Sequence, residues 1–159
     1  MIKVLFICHG NICRSPMAEF IMKDLVTRRH IADHFLIESA ATSSEEIIGG
    51  KGNPVYPPAR QELARHGISC EGKYARLLTK ADYDAYDYLV GMEDINIRNM
   101  KRILGEDTEH KICKLLDFTD RPGRNISDPW YTGDFSATYR DILEGCEAFL
   151  SYLDAQAEI

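Results

Sequence analysis

The chain has 159 residues, 45% hydrophobic and 28% charged, which fits one ordinary globular domain with mass enough for a packed core. Its formal net charge of −6 excludes general nucleic-acid binding, because phosphate backbones attract basic proteins. The apolar run after Lys3 is too short for a signal peptide and no segment has the length of a membrane span, while five cysteines without C-x-x-C pairing point to free thiols in a reducing cytoplasm.

In chain order, KVLFIC (Lys3 to Cys8) is a continuous apolar run of strand length, as expected of a strand buried on both faces. Ser15-Pro16 reads as an N-cap followed by proline at the first helical position. Ala18, Ile21, Met22, Leu25 and Val26 then recur at helical spacing. HFLIESAAT (His34 to Thr42) is a second strand, Ser43 to Pro58 a Gly- and Pro-rich loop, and Ala59 to Gly67 a helix closed by its glycine. YDYLVGM (Tyr86 to Met92) is a third strand, followed by a helix from Asp94 to Leu104. HKICKLLDF (His110 to Phe118) is a fourth. A turn-rich loop, Thr119 to Ser136, leads into a last helix from Ser136 to Leu153, with Tyr139, Ile142, Leu143, Cys146, Phe149, Leu150 and Leu153 on one side.

Strand alternating with helix predicts a single α/β domain over residues 1–159, a three-layer sandwich around a central four-stranded parallel sheet. In such sheets ligands bind beyond the carboxyl ends of the strands. The loop after strand one, the end of strand three and the SDPWY loop should therefore converge.

The first of these loops joins Cys8 to Arg14 across a strand-to-helix turn. Backbone N–H groups turned inward there, backed by a helix N-terminus, make an oxyanion cradle. Gly10 permits close approach and Asn11 tolerates a left-handed backbone. Arg14 adds a planar fork for two phosphate oxygens. The same field should favour the Cys8 thiolate, and Ser15 offers the sulfur a hydroxyl. Each residue also has a bland reading: Cys8 as a small buried hydrophobe, Ser15 as a cap, Arg14 as a surface charge. The spacing C-x5-R at this junction favours a nucleophile in a phosphate cradle over the three bland readings taken together. Nucleotide-binding glycine motifs are absent. Asp128 in SDPWY is a candidate acid, extended by the proline after it, with Trp130 and Tyr131 as an aromatic lip; a solvated loop aspartate is the alternative.

CHGNICRS together with DPWY resembles the low-molecular-weight protein tyrosine phosphatase family, and ESAATS, HGIS, YARLLTKADYDAYDYLVGMEDIN and DPWYTGDFSATY echo it in order along nearly the whole chain. The resemblance implies Cys8 as nucleophile, Arg14 as transition-state clamp and Asp128 as general acid. It implies that Asn11 and Ser15 organise the loop, and that His9, Gly10, Ile12 and Cys13 complete the phosphate-binding turn, with Trp130 and Tyr131 against the substrate. Cys13 resembles a second cysteine that forms a disulfide with the nucleophile. Tyrosine-phosphorylated proteins are the implied partners, with no nucleic acid or membrane, and a monomer is the expected state. No cofactor and no metal are expected, since Arg14 and the loop amides supply the positive field.

Two positions depart from the family. A histidine that hydrogen-bonds the loop serine is replaced by Lys73 in KYAR, with His66 at a helix end instead. An aromatic wall after SAATS is replaced by SSEEIIGGKG, leaving a more open slot or a wall from Tyr56. Glu93 stands where the family has aspartate. Among rivals, arsenate reductases share the loop but need a close pair of further cysteines. Cys70, Cys113 and Cys146 are far apart in sequence and read as core filling. The protein-arginine phosphatase branch carries threonine where this chain has Ile12. Against a non-catalytic phosphate-binding or redox-sensing module stands the retention of both Cys8 and Asp128, since binding alone needs neither.

Overall fold

The first strand, β1 (Ile2–Cys8), turns Ile2, Val4, Phe6 and Cys8 to one face of the sheet and Leu5 and Ile7 to the other. The computed structural model describes all residues, Met1–Ile159. Helix α1 (Arg14–Arg28) begins just before the expected cap: Cys13 is the N-cap, so Ser15 and Pro16 both lie inside the first turn. Pro16 is tolerated there because that turn's N–H groups have no intrahelical acceptor in any case. The Ser15 hydroxyl is drawn away from capping by Cys8 and Asn11.

After a 3₁₀ turn at Ala32–His34, β2 (Phe35–Ala41) lies parallel to β1 in the register Ile2 opposite Phe35 through Cys8 opposite Ala41. The expected loop that follows holds a small antiparallel hairpin, β3 (Ile47–Ile48) and β4 (Lys51–Gly52), turned by Gly49 and Gly50 at positive φ. Helix α2 (Pro57–Arg65) starts two residues earlier than expected, because Pro57 supplies a helix-ready φ at its first position. A single turn, α3 (Asp82–Ala85), precedes β5 (Tyr88–Gly91), which is shorter at both ends than the expected strand. Helix α4 (Asp94–Leu104) has the expected bounds.

The fourth strand needs correction. Only Ile112–Lys114 forms β6, and Leu115–Phe118 is a 3₁₀ turn. Asp117 accepts the N–H of Lys114 at 3.1 Å and of Gly123 at 3.0 Å, folding the chain back and burying Leu115 and Leu116. The long loop also contains a helical turn, α5 (Pro129–Thr132), before α6 (Phe135–Ala155).

The sheet order is β2-β1-β5-β6, all parallel. The chain leaves β1 towards one edge and returns to its other side, so the order reverses beside β1, where open α/β sheets place their ligands. Helices α1 and α6 cover one face through a cluster of 27 buried residues that includes Phe6, Met17, Ile21, Phe149 and Leu150. Each such side chain contributes roughly 1.5–3 kcal/mol on burial. Leu5, Ile7, Leu89, Met100 and Leu104 form the smaller core on the opposite face, giving the three layers.

Candidate active site

The loop from Cys8 to Arg14 is pinned from outside. The carbonyls of Cys8 and His9 accept the N–H groups of Thr42 and Ser43, and the Ile12 carbonyl accepts that of Tyr56 at 2.9 Å. The N–H groups from His9 to Cys13 find no backbone acceptor. Carbonyls out and amides free is the arrangement that binds an oxyanion. Asn11 makes it possible by adopting φ +58°, as the sequence suggested.

Every polar atom of the Asn11 side chain has work. Its Oδ1 accepts the Arg76 N–H at 3.1 Å, and its Nδ2 donates to Ser15 Oγ at 2.7 Å and Ser39 Oγ at 3.0 Å. With Asn11 donating to its oxygen, Ser15 has its own proton left for Cys8 Sγ, 3.0 Å away. The Ser15 N–H also approaches that sulfur, at 3.4 Å. Two donors thus converge on Cys8, which is 3% exposed. Support for the loop serine therefore comes from Asn11. Lys73 takes a different place: its Nζ donates to the Ser39 carbonyl at 3.0 Å and pairs with Glu19 Oε1 at 3.3 Å. Burial pushes the Lys73 ammonium towards losing its proton, and Glu19 opposes that. Glu19 accepts the Ser39 hydroxyl at 2.5 Å, closing a buried network behind the loop.

Arg14 is 1% exposed. It donates through Nη1 to the Ile126 carbonyl at 2.9 Å, and its Nη2 faces Glu93 at 3.0 Å and Asp128 Oδ2 at 3.3 Å. The other Asp128 oxygen accepts the Trp130 N–H at 3.0 Å, capping α5. Burial, then the neighbouring Cys8, pushes the Cys13 thiol well up from its ordinary value.

Cys8, His9, Gly10, Ile12, Cys13, Arg14, Asp128, Trp130 and Tyr131 line one pocket of about 340 Å³, with Glu45 and Glu46 on its far rim. Asn11 and Ser15, which the resemblance has organising the loop, are buried behind it and do not line the pocket. Tyr56 does not supply the missing wall: its ring backs Trp130, centroids 4.8 Å apart. The open side is acidic, with Glu45 paired to His9 at 3.1 Å and Glu46 held by Asn53 at 3.0 Å. A larger hollow of about 670 Å³ between α2 and the 67–74 turn contains none of Cys8, Arg14 or Asp128. Ser39 and Glu19 escaped sequence reasoning. Glu19 lies one helical turn after Ser15 inside an apolar stripe, and that spacing was the available signal.

A protein-family model described as low molecular weight phosphotyrosine protein phosphatase matches residues 3–158. The chain is 36% identical over 160 residues to YfkJ, a low molecular weight protein-tyrosine-phosphatase of Bacillus subtilis, covering all of both sequences. The crystal structure of YfkJ superposes with a TM-score of 0.91, over 98% of this chain and 96% of that one. Identity to the human low molecular weight phosphotyrosine protein phosphatase is 37% over 154 residues, 92% of each sequence. A Drosophila arginine phosphatase is also similar, at 33% identity and a TM-score of 0.82, over 95% of this chain and 97% of that one.

Proposed function

The chain belongs to the low molecular weight phosphotyrosine protein phosphatase family, whose members hydrolyse phosphotyrosine, and from that premise we propose that Cys8, Arg14 and Asp128 carry the reaction here. Cys8 attacks phosphorus in line as the thiolate, while the free loop amides and Arg14 spread charge over the equatorial oxygens. The bond from phosphorus to the tyrosine oxygen breaks as the sulfur–phosphorus bond forms, and Asp128 gives the leaving phenolate its proton. In the second step Asp128, now ionised, takes a proton from water as that water attacks the cysteinyl phosphate. Phosphate leaves and the thiolate returns. The observation that carries this reading is the convergence of the Cys8 sulfur, Arg14 and Asp128 on one pocket, with Ser15 donating to the sulfur from behind.

The substrates are proteins phosphorylated on tyrosine. Ile12 and the Trp130–Tyr131 lip suit a flat aromatic ring, which gains by burial and stacking. Two observations favour a second reading, phosphoarginine hydrolysis: the similarity to the Drosophila arginine phosphatase, and the glutamates on the pocket's open side. Against it, Ile12 would desolvate a phosphoguanidinium without returning a hydrogen bond. Comparing kcat/KM on peptides phosphorylated on tyrosine, arginine and serine decides between them. Phosphotyrosine should rank first, and a higher value for phosphoarginine would overturn the assignment. The five free cysteines support a reducing cytoplasm as the working compartment. No helix is long and apolar enough to cross a membrane.

A further inference from the structure

Lys114 lies outside the pocket, at the last position of β6, and is only 6% exposed. A buried ammonium must have acceptors, since leaving the charge unpaired is costly. Lys114 has three, one for each proton: Asp94 Oδ1 at 2.8 Å, the Gly123 carbonyl at 2.9 Å and Asn125 Oδ1 at 3.0 Å. The Asp94 side chain is 69% exposed, so water can serve it if Lys114 is lost. Gly123 and Asn125 belong to the loop that ends at Asp128. Gly123 is also held by Asp117, which accepts its N–H at 3.0 Å, and Asn125 by Asp94, whose N–H donates to Asn125 Oδ1 at 3.1 Å. The lysine ties both residues to one point at the end of β6.

Further contacts hold the loop closer to Asp128. The Ile126 N–H donates to the Met92 carbonyl at 2.9 Å, Arg124 pairs with Glu144 at 3.0 Å, and the Ile126 carbonyl accepts from Arg14. The Arg124 pair is part-exposed and a weak tether. Arg14 is the group that must turn to an incoming phosphate, so its hold on Ile126 competes with substrate. Lys114 faces no such competition.

We propose that Lys114 is a positioning residue for the general acid. It pins Gly123 and Asn125 to the end of the sheet so that Asp128, three residues on, stays over the leaving group when phosphate engages Arg14. The inference rests on the reading of Asp128 as general acid.

The test uses Lys114→Met and, in case that variant does not fold, Asn125→Ala, which removes one loop acceptor and keeps the lysine. Both are compared with Asp128→Ala on phenyl phosphate, whose leaving group needs a proton, and on p-nitrophenyl phosphate, whose leaving group does not. Displacing the acid should cut kcat/KM, which reports transfer to Cys8 and not the later hydrolysis, by about 10- to 100-fold on phenyl phosphate and leave kcat/KM for the nitrophenyl ester nearly unchanged. Neither change should slow Asp128→Ala further. Trp130, the only tryptophan, sits two residues past Asp128, and its acrylamide quenching should rise in both variants. Equal losses on the two esters, an added loss on top of Asp128→Ala, or unaltered kinetics and quenching would overturn the inference while leaving the general acid in place. An Asp128→Ala variant indifferent to leaving group would overturn the general-acid reading and this inference with it.

Discussion

Ile12 is the residue on which the proposed choice between substrates is most directly tested. It is 8% exposed, packs with Cys13 and Ala75, and still lines the pocket. Replacing it with threonine keeps the branching and adds a hydrogen-bonding oxygen. Ile12→Thr should therefore narrow the preference for phosphotyrosine over phosphoarginine by about 1–3 kcal/mol of transition-state discrimination. A ratio of kcat/KM values that does not move would show that Ile12 has no part in selection. Cys13 is a second residue with a distinct expectation. Its thiol is held protonated by burial and by Cys8 beside it, so it captures an oxidised Cys8 slowly near neutrality. Mild peroxide should produce a Cys8–Cys13 disulfide faster as pH rises, because the Cys13 thiolate fraction rises with it. Recovery on adding thiol should be poorer in Cys13→Ser. Peptide mapping that finds no such cross-link at any pH would refute the pairing.

Between elements, α6 approaches the 3₁₀ turn after β6 closely at Gly145. A methyl group on Gly145 would sit 2.5 Å from Leu115 Cγ, and Leu115 is fully buried. Alanine would gain about 1 kcal/mol of helix propensity over glycine. Overpacking costs about 1–3 kcal/mol, so the clash should win. Gly145→Ala should lower the urea midpoint, and a raised midpoint would mean that Leu115 moves freely. The segment under the phosphate loop has a different sensitivity. Arg76, whose N–H holds Asn11, is clamped by Asp82 and donates to the Tyr86 hydroxyl, which itself donates to Glu38. Burial, with Glu38 next, pushes the Tyr86 hydroxyl up to about 12. A raised folded value means a contribution that is intact below the ordinary tyrosine value of about 10 and lost as pH climbs through 12. Denaturant midpoints should fall over that window, and the fall should be shallower in Tyr86→Phe. An equal fall in both proteins would place the alkaline weakness elsewhere.

Across the whole molecule, what the sequence discloses is whatever a short window contains. β1, α4 and most of α6 follow from apolar period and length. The loop with its C-x5-R spacing is legible because Cys8, left-handed Asn11 and Arg14 lie within seven residues of one another. Partnerships across the chain are not legible in this way. The retreat of the fourth strand into a 3₁₀ turn is a different case. Asp117 reaches back to Lys114 and forward to Gly123 within a short window, but these side-chain bonds compete with the strand ladder in a way that apolar period and length do not register. Glu93 on Arg14, Ser39 on Asn11 and Lys114 on Asn125 each join residues at least eleven positions apart. The position of Lys73 shows the same limit: sequence marks it as a substitution, but only the fold shows that it answers Glu19 and leaves Asn11 to hold the serine.

The central claim is that phosphate passes through the sulfur of Cys8. Asp128→Ala should slow both transfer to the enzyme and release from it, so the phosphoenzyme has time to be caught. The protein is mixed with a phosphotyrosine peptide, quenched within a turnover and digested, and the fragment containing Cys8 is weighed. We expect the mass of one phosphoryl group on Cys8, absent from Cys8→Ser treated in the same way. Phosphate found on another residue, or turnover in Cys8→Ser at the rate of the parent, would contradict the account.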